Sequence, residues 1–295
     1  MDFLVIASKI SEISKDVKKI HQDQERQVRN ELLEWLTPVN YDAQHHEHLS
    51  KRSPESGKWF LEHPHFQQLL NGNEKTLLCQ GNPGAGKTIL TSAVIEHLQR
   101  HGQTYEDVSG DGKVSLAFIY FDFIRKESQR TIDVLASLVK QLVRDKPSLP
   151  TAVKELQNDY RNIPASSRSD KDIDKFSKTL RHLVSGNSTK TFIVIDALDE
   201  CHESNNFLEA LFAVLQDTES KLFATTRPSE GVEKRFQSGF FLEISASTED
   251  VGNYVAGRLP EFTVLSDENY DVREELRICL KAEIVAKISS AIEGM

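Results

Sequence analysis

Eight consecutive residues, Gly81-Asn82-Pro83-Gly84-Ala85-Gly86-Lys87-Thr88, follow the spacing GxxxxGK[ST]. Such a segment suits one kind of chemistry, the surrounding of a polyphosphate. Its glycines let the backbone curl so that successive N–H groups point inward at the β-phosphate. Lys87 would bring a point charge to the β- and γ-phosphates, and the Thr88 hydroxyl would ligate Mg²⁺. A helix starting at the end of the loop would aim its positive N-terminus at the same anion. The same pattern also occurs as a plain glycine-rich turn, so context decides. Here the apolar run TLLCQ precedes it, and TILTSAVIEHL follows with Ile89, Leu90, Ala93, Val94 and Leu98 on one helical face. Strand, loop and helix in that order are the context phosphate binding needs.

A phosphate loop of this kind needs an acidic residue at the end of another buried strand to hold the Mg²⁺. Phe192-Ile193-Val194-Ile195-Asp196 supplies it, and the alternative is a capped turn. Hydrolysis needs a second carboxylate to orient the attacking water. Asp199 and Glu200 lie one short turn further on; Glu200 is the favoured group, with Asp199 as its partner or substitute. Asp199 could equally cap the next helix. A further strand ends Thr225-Thr226-Arg227-Pro228. In a parallel sheet such ends face the ligand crevice, where Arg227 could sense the γ-phosphate. Its other reading is a surface arginine paired with a carboxylate.

The elements that must position these groups alternate. After residue 74 the strands are TLLCQ, VSLAFIYFDF, TFIVIDAL, KLFATTR and FFLEIS, separated by helical stretches at TIDVLASLVKQLV, DKFSKTLRHLV and NNFLEALFAVLQ. Strands alternating with helices predict βαβ units and a parallel sheet. The fold expected is therefore α/β, a P-loop NTPase three-layer sandwich with a five-stranded parallel sheet, preceded by an N-terminal amphipathic helix. In that helix Ile6, Ile10, Ile13, Val17 and Ile20 recur at steps of four and three, a heptad seam that then runs into Gln24 and Gln27. The stripe fits packing on the protein itself as well as oligomerisation, because a sustained coiled coil needs about three to four heptads. Pro38 should stop the helix.

Residues 38–73 read as a connector with an embedded aromatic motif, KWFLEHPHFQQLL, whose Trp59, Phe60, Phe66 and Leu69 can bury against a neighbouring domain. His45, His46 and His48 match no zinc-ligand spacing, and the reading is a hydrophilic loop with solvated histidines. With 36 Lys and Arg against 45 Asp and Glu, the net charge of −9 argues against a general nucleic-acid binder. Cys79, Cys201 and Cys279 form no CxxC pair and fit reduced thiols in a cytoplasmic protein. No segment approaches the length of a membrane span.

Taken together, GNPGAGKT, TFIVIDALDEC and KLFATTRP resemble the NACHT family of STAND signalling NTPases, particularly the fungal NLR-like proteins. RSPESGKWFLEHPHFQQLL is similar to the stretch before the phosphate loop in those members, which usually carries Gly-Thr-Gly ahead of the aromatic pair. The resemblance spans roughly residues 35 to 262, and a matched set of separated motifs is more specific than any one of them. It implies that Gly81 to Thr88 bind ATP or ADP, that Thr88 and Asp196 hold Mg²⁺, that Asp199 and Glu200 serve hydrolysis, and that Arg227 is a first sensor. It also implies a sensor strand lying between the phosphate-loop strand and the Asp196 strand, slow hydrolysis, an ADP-bound resting state and self-association in the triphosphate state.

The division this suggests is 1–37, an amphipathic, coiled-coil-like helix that meets protein partners; 38–73, a linker with the aromatic motif; 74–248, a NACHT-like domain; and 249–295, the start of a truncated helical region. Relatives carry an effector domain before and helical and repeat regions after, so the chain reads as a switch module shortened at both ends. Two other functions stay open. One is a conventional P-loop ATPase or kinase. The other is a nucleotide-binding scaffold that does not hydrolyse. The phosphate loop itself does not choose between adenine and guanine.

Overall fold

A computed structural model of the chain describes residues 2–53, 56–104, 114–144, 146, 148–161, 163–185, 190–236, 239–245, 251–252, 282–287 and 290. Five strands form one parallel sheet: β1 (Thr76–Gln80), β2 (Ser115–Tyr120), β3 (Thr191–Asp196), β4 (Lys221–Thr226) and β5 (Phe240–Glu243). Their order across the sheet is β2-β3-β4-β1-β5. Every residue of β1, β3 and β4 is buried. Burial on both faces is why their centres are apolar runs and not alternating ones. Strand β4, which runs up to Arg227, lies between β1 and β3, the place the family resemblance implies for it.

The helices that accompany the sheet are α1 (Asp2–Leu36), α2 (Tyr41–Lys51), α3 (Lys58–Leu61), α4 (Pro64–Asn71), α5 (Lys87–Thr104), α6 (Thr131–Arg144), α7 (Thr151–Asp159), α8 (Ile173–Ser185), α9 (Ser204–Leu215) and α10 (Glu230–Glu233), and residues 282–287 are also helical. The crossover from β1 through α5 runs outward to β2, whereas those through α6–α8 and α9 run back. Right-handed crossovers therefore put α5 on one face and α6, α8 and α9 on the other. The packing agrees: α5 meets β2, β3 and β4 together with α2 and α3, while α6, α8 and α9 pack on one another. Since the helices after β1 and β4 leave on opposite faces, the crevice beyond these two strand ends is the topological switch point.

Strand β2 is an edge, and an open edge exposes backbone groups to foreign strands. Two glutamines close it. The Gln141 amide donates to the Phe118 carbonyl at 2.8 Å and accepts from the Phe118 N–H at 2.9 Å, standing in for a neighbouring strand. Gln129 does the same one pleat on, donating to the Tyr120 carbonyl and accepting from the Asp122 N–H.

Residues 38–73 differ from the sequence reading. The stretch predicted as a hydrophilic loop is helical (α2), with Asn40 capping it by accepting from the Asp42 N–H. His45 is buried in it at 2% exposure. Among the described residues no group of three or more His, Cys, Asp or Glu could hold a metal ion. Of the aromatic motif, Phe60, Phe66 and Leu69 are fully buried, but Trp59 stays 41% exposed. Gly57 makes this docking close: at φ 80 it lies against α5, where a Cβ would meet the Ala93 methyl at 3.2 Å.

Helix α7 was not foreseen, because its few apolar residues sit in a polar stretch; only Val153 and Leu156 are buried. Arg168, also unforeseen, is 2% exposed, lies over the Trp35 and Phe176 rings and donates to the Trp35 and Leu36 carbonyls. A cation there satisfies the orphan carbonyls at the end of α1 and the negative end of its dipole. The outer part of α1 is open, with Ile13, Val17 and Ile20 each more than half exposed. Most of the expected helical tail after residue 248 lies outside the described residues. No helix among the described residues is long and apolar enough to cross a membrane.

Candidate functional site

The predicted site residues converge on the switch-point crevice. The loop leaves β1 at Gly81, whose N–H donates to the Thr226 carbonyl at 3.2 Å and so ties the loop to the end of β4. A Cβ at Gly81 would come within 2.5 Å of the Ile244 carbonyl, so the chain crossing just after β5 excludes any side chain here. Gly84 and Gly86 have φ of 83° and 84°, the left-handed region that favours glycine. The loop then feeds the first residue of α5, Lys87. The ammonium of Lys87 donates to the Gly81 and Asn82 carbonyls at 2.6 and 2.9 Å, which places it within the concavity of the loop. Partial burial lowers its pKa, and the nearby Arg227 charge works in the same direction against Asp199, Asp196 and Glu200.

Asp196, at the end of β3, is 2% exposed and accepts three hydrogen bonds. Its Oδ2 accepts from the Thr88 hydroxyl at 2.7 Å. Its Oδ1 accepts from the Thr91 hydroxyl at 2.8 Å and the Thr225 hydroxyl at 2.7 Å. Sequence reasoning missed both of these threonines. Thr91 stands three residues after Thr88, one turn along the same helix face. Thr225 stands one residue past Ala224, which is in register with Ile195, so it flanks Asp196 on the neighbouring strand. The two spacings were readable, but only the sheet order makes Thr225 a neighbour.

The chain turns sharply after Asp196, with Ala197 at φ 53 and a 3₁₀ turn over Leu198–Glu200. Asp199 does not cap α9, whose N-cap position is Glu203. Instead its Oδ1 accepts from the backbone N–H of Arg227 at 2.9 Å. The Arg227 guanidinium donates to Glu200 Oε1 at 3.0 Å and lies 3.4 Å from Asp199 Oδ2. Glu200 Oε2 accepts from the Phe123 N–H at 3.1 Å. Arg227 is thus both at the strand end, where a sensor belongs, and paired with carboxylates.

Oxygen donors at Thr88 and Asp196 are the hard ligands that Mg²⁺ prefers. The glycine-walled loop, the Lys87 ammonium and the N-terminus of the long helix α5 suit a polyphosphate. Both groups fit the residues present.

Beside the site lies a second cluster, in which His45 and Tyr120 are buried and His48 half-buried. His45 Nδ1 and the Tyr120 hydroxyl are 3.0 Å apart, and the His48 ring packs 4.8 Å from that of Tyr120, which pairs in register with Asp196. Burial holds the Tyr120 hydroxyl protonated, well above its ordinary range, and the Asp196 charge adds to this. Burial pushes His45 down from 6.5 to about 4, with the neighbouring His46 contributing against Asp42 and Glu96. The folded protein therefore keeps this imidazole neutral where the unfolded chain takes up a proton. Its contribution to stability is intact above pH 6.5 and is lost as pH falls from 6.5 to 4, by at most about 3 kcal/mol. Urea unfolding of wild type and His45→Gln at pH 7.5, 6 and 5 checks this: the wild type should lose stability more steeply, and parallel curves would refute it.

A five-stranded parallel sheet of this order, with GxxxxGKT after its β1 strand and an aspartate ending β3, defines the P-loop NTPase fold. The family model described as Nephrocystin 3, N-terminal, matches residues 55–227, more than half of the sequence, and the chain belongs to that family. This is consistent with a NACHT-like P-loop NTPase. No curated protein sequence matches the chain. Solved structures similar to it include the replication initiator DnaA bound to AMPPCP and single-stranded DNA, at 13% identity and TM-score 0.41, covering 81% of this chain and 62% of that one. Another is the Aeropyrum pernix ORC1 protein in complex with DNA, at 14% and 0.42, covering 78% and 53%. A third is Drosophila ORC bound to DNA, at 17% and 0.41, covering 76% and 53%. The chain spans between half and two thirds of the length of these structures.

Proposed function

We propose that the chain binds ATP with Mg²⁺ in the loop Gly81–Thr88, hydrolyses it slowly, and serves as the nucleotide switch of an NLR-like signalling protein in the cytoplasm. The observation that carries this reading is the meeting of Thr88 Oγ1 and Asp196 Oδ2 at 2.7 Å beside the Lys87 ammonium. The backbone N–H groups of the loop and Lys87 bind the phosphates, and Thr88 with Asp196 holds the metal. The metal, when bound, supplies charge neutralisation between the β- and γ-phosphates. Glu200 orients the attacking water, Asp199 supports it, and Arg227 reads the terminal phosphate.

The partners of Glu200 support the reading of slow turnover. Both of its carboxylate oxygens already accept hydrogen bonds, from Arg227 and from the Phe123 N–H. An attacking water would have to share these oxygens with Arg227 and the Phe123 N–H. The same observation favours a second reading, a nucleotide-binding scaffold without hydrolysis.

The proposed organisation keeps residues 74–248 as the NTPase domain, with 1–37 as a helix that meets protein partners and 38–73 packed as an accessory to the domain. Residues 249–295 then begin a further helical region. The exposed Ile13, Val17 and Ile20 support a partner-facing role for α1. Size-exclusion chromatography with light scattering, run in Mg-ADP and then in Mg with a non-hydrolysable ATP analogue, tests the switch. A larger species in the analogue alone is the expected result, and a monomer in both would remove the switch from the reading.

A further inference from the structure

Of the three hydroxyls on Asp196, only that of Thr88 belongs to the phosphate-loop pattern. The other two come from buried threonines on different elements, Thr91 on α5 and Thr225 on β4, each with no exposed surface. Both donate to the same carboxylate oxygen, Oδ1. A buried carboxylate is costly unless its lone pairs are satisfied. Satisfaction alone does not require that two donors converge on one oxygen. Their convergence leaves Oδ2, with the Thr88 hydroxyl, as the oxygen turned to the loop.

Thr225 carries a second duty. Its hydroxyl spends its proton on Asp196 and uses a lone pair to accept from the Ala197 N–H at 3.0 Å. Ala197 is the left-handed residue at which the chain leaves β3. Its carbonyl accepts from the Glu200 N–H at 2.8 Å, closing the turn that bears Asp199 and Glu200. Two residues on, Arg227 holds both of those carboxylates. The end of β4 therefore addresses all three acidic residues of the site, the first through a hydroxyl and the other two through Arg227.

We infer that Thr225 and Thr91 are positioning residues for the metal. They clamp Oδ1 of Asp196 so that this carboxylate offers a single oxygen, Oδ2, to Mg²⁺, and Thr225 sets the pitch of the Glu200 turn at the same time. This rests on the Mg-nucleotide reading of the loop. Partners of a ligating carboxylate typically change metal affinity or activity by about 10- to 100-fold when removed. The loss here should be near the lower figure, because each threonine is one of two.

The test is a Mg²⁺ titration of the binding of a fluorescent, non-hydrolysable ATP analogue to the full chain. Thr225→Val keeps the side-chain shape and removes the hydroxyl; Thr225→Ser keeps the hydroxyl and removes the methyl. Thr225→Val should raise the Mg²⁺ midpoint roughly 10-fold, leave analogue binding in EDTA unchanged, and be rescued by Thr225→Ser. Thr91→Val and Thr91→Ser should repeat the pattern from the helix side. A purely structural threonine would weaken binding equally with and without Mg²⁺, and that result, or a wild-type midpoint in both valine variants, overturns the inference. If a valine variant does not fold, the comparison of Thr225→Ser with Thr225→Ala decides: equal midpoints overturn it, and a roughly 10-fold gap supports it. Wild-type protein that does not bind the analogue at any Mg²⁺ concentration would instead remove the nucleotide reading on which the inference stands.

Discussion

Lys87→Ala should lower affinity for Mg-ATP by roughly 100-fold, about 3 kcal/mol, the upper end of what a hydrogen bond to a charged group contributes. The side chain is half-buried against its own loop, donating to the Gly81 and Asn82 carbonyls. Desolvation has already lowered its pKa, so part of the cost of bringing the ammonium to a phosphate is met in the folded protein. Truncation also takes the lysine donor from the Gly81 and Asn82 carbonyls, of which Asn82 keeps the Ala85 N–H at 3.1 Å. A loosened loop would weaken binding indirectly; Lys87→Met, which retains the stem but no donor, shows how much of the loss comes from stem packing alone. Fluorescence titration with an ATP analogue measures both variants, with circular dichroism as the control for folding. Affinity within threefold of wild type in Lys87→Ala would mean that the loop is not the phosphate site.

Glu200→Gln should leave Mg-ATP binding within about threefold while slowing hydrolysis by roughly 10²- to 10⁴-fold, the usual contribution of a general base. The amide is nearly isosteric, so one oxygen can still accept from the Phe123 N–H, but it cannot take a proton from water. Single-turnover hydrolysis gives the rate, and Asp199→Asn serves as the comparison. Asp199 accepts from the Arg227 N–H and lies 3.4 Å from its Nε. A smaller loss is expected for it, since its part is to hold Arg227 in place. If Glu200→Gln hydrolyses at the wild-type rate and Asp199→Asn does not, the two carboxylates exchange roles. If the wild type itself shows no turnover, the scaffold reading takes over.

The loop and the end of β3 were legible because each rests on local rules. Glycines at positive φ, a lysine and threonine opening a helix, and an apolar run ending in aspartate all act over a few residues. The parallel sheet was legible for a related reason: a strand buried on both faces carries apolar neighbours in succession, as Leu77-Leu78 and Phe192 to Ile195 do. Where burial depended on distant partners, the reading failed. Polar His45 and Arg168 are both 2% exposed, because Tyr120 receives one and the carbonyls ending α1 receive the other. Trp59, apolar in sequence, is left partly outside.

By itself, then, the order of residues determined that a glycine-rich loop opening a helix, an aspartate ending a buried strand and two further acidic groups exist, and that a parallel sheet carries them. Their spacing along the chain could not say how they meet. Asp196 is more than a hundred positions from Thr88, and Arg227 is 27 from Glu200. The position of β4 between β1 and β3, which the resemblance implies, brings the strand ends together, but only the tertiary structure put Thr225 on Asp196 and Arg227 on both Asp199 and Glu200. Hydrogen bonds act over about 3 Å, so the partners of each carboxylate are set by which strand ends the fold brings side by side.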